Sequence, residues 1–223
     1  MGKFDHVKWL FFDIGDTLVN EWVPVDHIIG QFVREANGLG YNITMEDVRS
    51  KFIQSYSNYI ASPMQYAISE LVPSEEDRAY IKTRLKFQKE LEEPYAEART
   101  VLEQLGERYR IGIVANQSPG TEERLVKYGL RSFVDVIACS AEQGMSKPDV
   151  RLYQYALKTA GAEPSESIMI GDRIDNDIIP AKSLGMLTIR IMQGYGRYQP
   201  STGAQDTPDY TVNDLNALTA LLL

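Results

Sequence analysis

Several residue types that carry chemistry in other proteins are scarce in this 223-residue sequence. It has one cysteine, Cys139, so neither a disulfide within the chain nor a thiolate cluster for a metal can form. This usage fits a reducing compartment. The only histidines are His6, before the first predicted strand, and His27, in a helical segment. We therefore expect no histidine-based metal site, and we interpret Cys139 as a small core residue.

Long apolar runs and basic runs are also missing. No apolar segment approaches the length of about 20 residues that a membrane helix needs, and residues 7–12 are too short for a signal peptide. We therefore expect a cytoplasmic protein that does not engage membranes. The net charge of -8 and the pI of about 4.9 argue against nucleic acid as a partner, because phosphate backbones attract basic surfaces. A small anionic ligand needs only a local positive site.

The composition is otherwise that of an ordinary globular protein, with 43% hydrophobic and 24% charged residues. Five short apolar segments predict buried strands, namely residues 7–12, 111–115, 134–138, 167–170 and 186–191. Helical patterns separate the later segments, at residues 122–128, 150–160 and 174–184. Alternating strands and helices indicate right-handed crossovers, so we predict an α/β fold with a Rossmann-like parallel sheet. A last helix is predicted over residues 213–222, with Asn213 as its N-cap.

Residues 21–94 break this alternation, since they contain helical patterns and no convincing buried strand. The predicted helices cover residues 25–36, residues 44–60, which begin with a capping-box pattern at Thr44 and Asp47, and residues 74–93, with Ser74 as N-cap. We therefore predict a catalytic core formed by residues 1–20 and 95–223, with an all-helical cap domain, residues 21–94, inserted after the first strand.

Polar residues follow the predicted strands, at the edge where an open parallel sheet binds its ligands. Those that can carry chemistry are Asp13, Asn116, Gln117, Lys147, Asp172 and Asp177. Any one of them has an ordinary structural interpretation, such as a helix cap or a turn lysine. Taken together, several carboxylates converge on one edge of one sheet, and such a cluster needs a cation. Hard oxygen ligands select Mg²⁺.

The order of these segments resembles the haloacid dehalogenase-like hydrolase superfamily. The resemblance is carried by Asp13, by Lys147-Pro148-Asp149, and by Gly171-Asp172 followed by Asp177. The helical insert after the first strand is similar to the family's type C1 cap, and the resemblance extends to residues 208–210 and the terminal helix. It implies a hydrolase with this core and cap, and a phosphatase is the first activity that we expect from it.

The resemblance also implies roles for individual residues. Asp13 would be the nucleophile, forming an aspartyl-phosphate that water then hydrolyses. Lys147 would neutralise charge on Asp13 and on the phosphoryl oxygens, and Asn116 would lie beside the phosphate. The implied Mg²⁺ site consists of Asp13, the main-chain carbonyl of Gly15, Asp172 and Asp177. Asp177 would act there through a bound water or by orienting Lys147.

Two positions depart from the family pattern. Gly15 stands where phosphatases of the family place an aspartate that protonates the leaving group and then activates water. The neighbouring Asp16 would reach the site only if the turn is rearranged, because a shift of one residue redirects a side chain. Ala115 replaces a threonine or serine, which removes a hydroxyl donor to the phosphate. Asn116 or Gln117, or their backbone N–H groups, are expected to compensate as substrate-binding groups.

We therefore predict a Mg²⁺-dependent phosphatase that acts on a small phosphorylated metabolite, as a monomer or homodimer, with Asp13 and Lys147 catalytic. Loss of general acid–base catalysis costs about 10²–10⁴-fold, whereas electrostatic stabilisation is usually the larger contribution. Two alternatives stay open. Phosphonate-cleaving members also have a small residue at the second position and form a Schiff base on a cap lysine, for which Lys51 is the candidate. A non-catalytic binding protein is the other alternative. Dehalogenation is disfavoured because dehalogenating members use no metal.

Overall fold

The structure, a computed structural model, describes residues 3–223. Its strands, in chain order, are β1 (Trp9–Phe12), β2 (Val19–Asn20), β3 (Glu93–Pro94), β4 (Arg110–Ala115), β5 (Val136–Cys139), β6 (Ser167–Gly171), β7 (Leu187–Ile191) and β8 (Tyr210–Val212). Its α-helices are α1 (Trp22–Gly38), α2 (Met45–Ser57), α3 (Pro63–Leu71), α4 (Glu75–Arg84), α5 (Ala98–Gly106), α6 (Thr121–Lys127), α7 (Ser140–Gln143), α8 (Val150–Ala160), α9 (Ile179–Ser183) and α10 (Leu215–Leu222). Shorter turns of 3₁₀-helix lie at Lys89–Leu91, Arg131–Phe133, Pro164–Glu166 and Tyr195–Tyr198, and a π-helix at Ile174–Ile178.

Six strands form one sheet in the order β5-β4-β1-β6-β7-β8, and every neighbouring pair is parallel. The predicted α/β class with a Rossmann-like parallel sheet is therefore confirmed. All five predicted strands are present, although β1 begins at Trp9 rather than at residue 7. Strand β8 was not predicted, because its three residues are too few to give a periodic signal. The two-residue strands β2 and β3 pair antiparallel in a separate ribbon.

The central strand β1 is buried on both faces, as a strand inside a parallel sheet must be. Leu10 and Phe12 pack in the hydrophobic cluster that includes α5 and α10. Trp9 and Phe11 point to the other cluster, which includes α8 and α9. A Cβ at Gly112 on the neighbouring β4 would collide with the Phe11 ring, so this close approach requires glycine.

The described chain divides into two compact units. One contains the sheet and comprises the described residues up to Asn20, then Glu93–Arg197 and Ser201–Leu223. The other is helical and comprises Glu21–Glu92 together with Tyr198–Pro200. The inserted module was predicted as residues 21–94, so residues 93–94 fall in the sheet unit instead, where they form β3. The prediction also missed that the helical unit includes residues from beyond β7.

The helical unit is built from α1 to α4 around buried apolar side chains that include Ile29, Phe32, Val48 and Ile68. The predicted capping box at the start of α2 is present, with Thr44 and Asp47 each accepting from the other's backbone N–H. The predicted helix over residues 74–93 begins as expected after Ser74 but ends at Arg84. Helix α3 was not predicted. Among residues 3–223 we find no helix long and apolar enough to cross a bilayer.

Two helices of the sheet unit also differ from the prediction. Helix α5 was not predicted. Helix α10 starts at Leu215, and its N-cap is Asp214, whose carboxylate accepts from the Ala217 N–H. Asn213 was therefore the wrong N-cap by one residue. Both side chains are suitable caps, so the sequence pattern alone does not distinguish them.

Candidate active site

The predicted catalytic residues meet at the carboxyl ends of β1, β4 and β6, three adjacent strands of the sheet. Asp13 directly follows β1, and its backbone N–H donates to Ile170 O at 2.9 Å, which continues the ladder with β6. Asp172 directly follows β6, and Lys147 enters from the segment before α8. Asp13, Lys147 and Asp172 are 9%, 5% and 4% exposed. The parallel topology therefore gathers these charges in a largely dry site.

Lys147 joins two carboxylates. Its Nζ donates to Asp13 Oδ1 and to Asp177 Oδ1, both at 2.6 Å. Burial alone would lower the pKa of Lys147, but the charges and hydrogen bonds of Asp13 and Asp177 outweigh burial and raise that pKa above its ordinary value. The ammonium group is therefore charged throughout the neutral range, and it neutralises part of the acidic cluster.

Asp177 is fully buried and lies in the π-helix. One carboxylate oxygen accepts from Lys147, and Oδ2 accepts from the Arg173 N–H at 3.0 Å. The hydroxyl of Tyr153, a residue of α8, donates to Asn176 O and so supports the π-helix. Burial raises the pKa of Asp177 to about 6, although Lys147 opposes the increase. Because both oxygens already accept hydrogen bonds, the geometry favours Asp177 as the residue that orients Lys147.

Asp172 is in the opposite electrostatic situation. Carboxylate oxygens of Asp13, Asp172 and Asp177 lie within 4.8 Å of one another. Among residues 3–223, no lysine or arginine forms an ion pair with Asp172. Burial raises the pKa of Asp172 well above its usual range, and repulsion from Asp177, Asp16 and Asp13 adds to the effect. A cation between Asp13 and Asp172 would reverse this penalty, so the donor set fits a hard divalent metal.

The turn after Asp13 contains the departure seen in the sequence. Gly15 does not have a positive φ, whereas Asp16 does, at 50°. The Asp16 N–H donates to Val19 O at 2.7 Å, which fixes this left-handed turn. The Asp16 carboxylate packs against the backbone of Gly194 and is one of the charges that raise the pKa of Asp172. Asp16 is thus turned toward the acidic cluster, on the side of the loop that follows β7.

Asn116 and Gln117 were predicted to compensate for Ala115. The Asn116 amide bonds both backbone polar groups of Lys147: Nδ2 donates to Lys147 O at 2.9 Å, and Oδ1 accepts from Lys147 N at 2.7 Å. This pair of bonds fixes the lysine segment to the end of β4. Gln117 is 9% exposed, and its Oε1 accepts from Arg124 at 3.3 Å. Its Nε2 has no partner among the described residues and is the donor available for an anion.

Two features beside the acidic cluster were missed from the sequence. Arg190, the fourth residue of β7, is 5% exposed, and it donates to Asp172 O at 3.3 Å and to Gly196 O at 2.6 Å. Gly194 and Gly196 lie so close to Asp16 and Asp172 that a Cβ at either glycine would overlap a carboxylate. An arginine in an apolar strand was the available signal.

The remaining candidates have structural surroundings. Cys139 is buried at the end of β5, and burial raises the pKa of its thiol to about 11, so it is not a nucleophile. Lys51 is on α2, where its ammonium pairs with Glu70 of α3 at 3.2 Å and also bonds Gln54. This is the ordinary state of a helix-surface lysine.

The sheet edge therefore gathers three carboxylates and a buried lysine in one place. The model of the haloacid dehalogenase-like hydrolase family matches residues 10–191. The chain belongs to this family, and the predicted family resemblance is confirmed. Since the family match covers most of the chain and relatives over nearly its full length are phosphatases, the predicted enzyme class, a phosphoric monoester hydrolase, is also confirmed.

Individual relatives match nearly the whole length of the chain. A glyceraldehyde 3-phosphate phosphatase of Methanocaldococcus jannaschii is 28% identical over 221 residues, covering 95% of each chain. The enzyme with the same name from Pyrococcus furiosus is 26% identical over 97% of this chain and 93% of its own. A solved haloacid dehalogenase-like hydrolase from Streptococcus pneumoniae superposes with a TM-score of 0.71 at 19% identity, over 98% of this chain and 99% of its own. At this identity, the similarity to the Streptococcus pneumoniae protein concerns the fold alone.

Proposed function

We propose that the protein is a Mg²⁺-dependent phosphatase that hydrolyses a small phosphorylated metabolite through an aspartyl-phosphate on Asp13. The observation that carries the proposal is the Lys147 ammonium group at 2.6 Å from Asp13 Oδ1, with Asp177 behind it. This contact holds the Asp13 carboxylate in one orientation and leaves Oδ2 without a hydrogen bond from the described residues. A buried, oriented carboxylate with one free oxygen is suited to nucleophilic attack.

The proposed metal site consists of Asp13, the Gly15 carbonyl and Asp172, with Asp177 acting through Lys147 or a bound water. Carboxylate and carbonyl oxygens are the ligands that Mg²⁺ prefers. The raised pKa of Asp172 supports this assignment, because the cluster has more negative charge than Lys147 alone neutralises. When bound, Mg²⁺ supplies positive charge that stabilises the phosphoryl oxygens in the transition state.

The protein residues perform two chemical steps. Asp13 Oδ2 attacks phosphorus, the bond from phosphorus to the ester oxygen breaks, and the leaving group departs with that electron pair. Water then attacks the phosphorus of the aspartyl-phosphate, and the bond from phosphorus to Asp13 Oδ2 breaks with its electron pair remaining on Asp13. The proton of the attacking water passes to solvent, and inorganic phosphate and the Asp13 carboxylate result. Lys147 stabilises the negative charge on Asp13 and on the transferred group in both steps. Gly15 offers no acid for the leaving group, so stable leaving groups should react best.

The residues that follow β4 would bind the phosphate in place of the hydroxyl group that Ala115 lacks. Asn116 positions Lys147 through the two backbone bonds described above, and Gln117 Nε2 is the proposed donor to a phosphoryl oxygen. Arg124 fixes the loop that contains Gln117, since its guanidinium donates to Ser118 O and Pro119 O, each at 2.8 Å. Planar guanidinium groups suit such multiple bonds. Gln117→Leu should therefore raise the KM for a phosphate ester more than it lowers kcat.

The test is a phosphatase screen of the purified full chain, with an aryl phosphate, glyceraldehyde 3-phosphate and other small phosphate esters, each with Mg²⁺ and with EDTA. We expect release of inorganic phosphate that needs Mg²⁺ and disappears in Asp13→Asn. Turnover of no phosphate ester, together with measurable binding of inorganic phosphate, would favour the non-catalytic alternative. Trapping of Lys51 by borohydride in the presence of a phosphonoaldehyde would favour carbon–phosphorus cleavage.

A further inference from the structure

Arg190 is a buried cation beside the proposed metal site. It pairs in register with Gly171, the last residue of β6, so its Cα lies next to the strand end that presents Asp172. Its Nη2 donates to Gly196 O at 2.6 Å, and its Nε donates to Asp172 O at 3.3 Å. One guanidinium group thus links the backbone of Asp172 to the loop that follows β7, residues 194–196.

This loop lies directly against two carboxylates. A Cβ at Gly196 would overlap the Asp172 carboxylate, and a Cβ at Gly194 would overlap that of Asp16. Gly194 has a φ of 53°, which favours glycine for a second reason. The loop therefore packs closely against both carboxylates. Two guanidinium groups bond its backbone, Arg190 at Gly196 O and Arg197 at Gly194 O, the latter at 2.8 Å. Hydrogen bonds from a charged donor are stronger than those between neutral groups.

We propose that Arg190 is a positioning residue, which holds the 194–196 loop against Asp172 and thereby fixes the orientation of the Asp172 carboxylate toward a divalent cation. This inference rests on the proposed function in one respect, namely that Asp172 is a metal ligand. The physical basis is that residues behind a metal ligand restrict its orientation, and their loss typically lowers metal affinity by about 10–100-fold.

The charge and the geometry of Arg190 predict opposite effects on Mg²⁺ binding. If Arg190 acted mainly through its positive charge, its removal would strengthen the binding of a cation to the acidic cluster. If it acts by holding the loop, its removal weakens binding. Arg190→Lys keeps the charge but loses the planar fork, whereas Arg190→Met loses both. Comparing the two variants therefore separates positioning from electrostatics.

The experiment is calorimetric titration of the folded full chain with Mg²⁺ alone, for wild type, Arg190→Lys, Arg190→Met and Gly196→Ala. We expect the Kd for Mg²⁺ to rise by about 10–100-fold in all three variants. Gly196→Ala leaves the arginine unchanged and places a Cβ against the Asp172 carboxylate, so it tests whether the 194–196 loop controls that carboxylate if the Arg190 variants do not fold. Gly106→Ala is the matched control, because a Cβ there meets only Ile111 at 3.9 Å.

Unchanged or tighter Mg²⁺ binding in folded Arg190→Met overturns the proposal, as does an unchanged Kd in Gly196→Ala. Absence of Mg²⁺ binding by the wild type overturns both this inference and the proposed metal site. Mg²⁺ binding by a wild type that hydrolyses no phosphate ester would contradict the proposed function alone, and the calorimetric comparison would still decide the role of Arg190.

Discussion

The two sides of the acidic cluster differ in how their charge is balanced. On the Lys147 side, one ammonium group bonds Asp13 and Asp177 at 2.6 Å each, and Asn116 fixes the lysine backbone. On the Asp172 side, the carboxylate is buried among other acids, and burial with their repulsion raises its pKa. On the Lys147 side, the charges are balanced by residues of the chain itself. The Asp172 side would gain stability from a bound cation.

The two sides of the cluster should therefore respond differently when one charge is removed. Breaking a buried ion pair leaves an uncompensated charge, which costs several kcal/mol. Removing one of several like charges relieves repulsion instead. The same kind of substitution, loss of one charge, should therefore have opposite effects on stability at the two sides. The following predictions test this difference, from the largest expected effect to the smallest.

Asp13→Asn changes the residue shared by both sides and should have the largest effect. An amide cannot form the aspartyl-phosphate, so we expect kcat for an aryl phosphate to fall by about 10⁴-fold or more. The measurement is steady-state release of phosphate, with the thermal melt as a check of folding. Asp5→Asn, at an exposed ion pair with Arg108, is the matched control. Retention of most activity in a folded Asp13→Asn would mean that another group is the nucleophile.

Lys147→Met should destabilise the Lys147 side. It leaves Asp13 and Asp177 buried without their shared cation, so we expect the free energy of unfolding to fall by about 3–5 kcal/mol. Urea denaturation in EDTA measures this. Lys8→Met removes an exposed lysine paired with Glu166 at 2.7 Å, and it should cost no more than about 1 kcal/mol. Equal losses in the two variants would refute a structural role for the buried pair.

Asp172→Asn should have the opposite effect on stability. Without metal it removes repulsion from the neighbouring carboxylates, so we expect the free energy of unfolding to rise. With Mg²⁺ it removes a ligand, so the Kd should rise by at least about 10-fold. Urea denaturation and calorimetry measure the two effects. Asp214→Asn is the control, since asparagine caps a helix as well as aspartate does. Unchanged Mg²⁺ affinity would exclude Asp172 from the metal site.

Gly15→Asp should have the smallest effect, and that effect should depend on the leaving group of the substrate. A protonated carboxyl group there would donate its proton to an alkoxide leaving group, so turnover of an alkyl phosphate should rise by about 10-fold or more, and that of an aryl phosphate by less. No left-handed strain opposes the change, because the positive φ belongs to Asp16. The measurement is kcat for both substrates. Equal turnover of both by the wild type, lost in Asp16→Asn, would instead assign acid–base catalysis to Asp16.

The strands and the positions of the charged residues were predictable because they depend on short-range patterns. Apolar segments predicted β1, β4, β5, β6 and β7. Ligands bind at the carboxyl ends of parallel strands, and this rule predicted that Asp13 and Asp172 lie close together. Strand β8 was not predicted, because its three residues are too few for periodicity to be recognised. Helices α3 and α5 were not predicted either.

The contacts between side chains and distant backbone could not be predicted in the same way. Asn116 bonds Lys147 across 31 positions in the sequence, and Arg190 reaches Gly196 around a loop. No periodic pattern encodes such pairs, because they depend on how loops pack after the sheet has formed. The π-helix around Asp177 is similar, since its sequence predicts an ordinary helix. These details decide which predicted residues are free to contact a ligand.

The helical unit is discontinuous in sequence, and this limits how it can be separated from the rest of the protein. The Ser57 hydroxyl donates to Tyr198 O at 3.2 Å, and the Tyr59 hydroxyl donates to Pro200 O. An excised fragment of residues 21–92 would lack both acceptors, as would any chimera that exchanges only this contiguous stretch for the insert of a relative. Grafting the helical unit onto another core therefore requires residues 198–200 to be transferred with it.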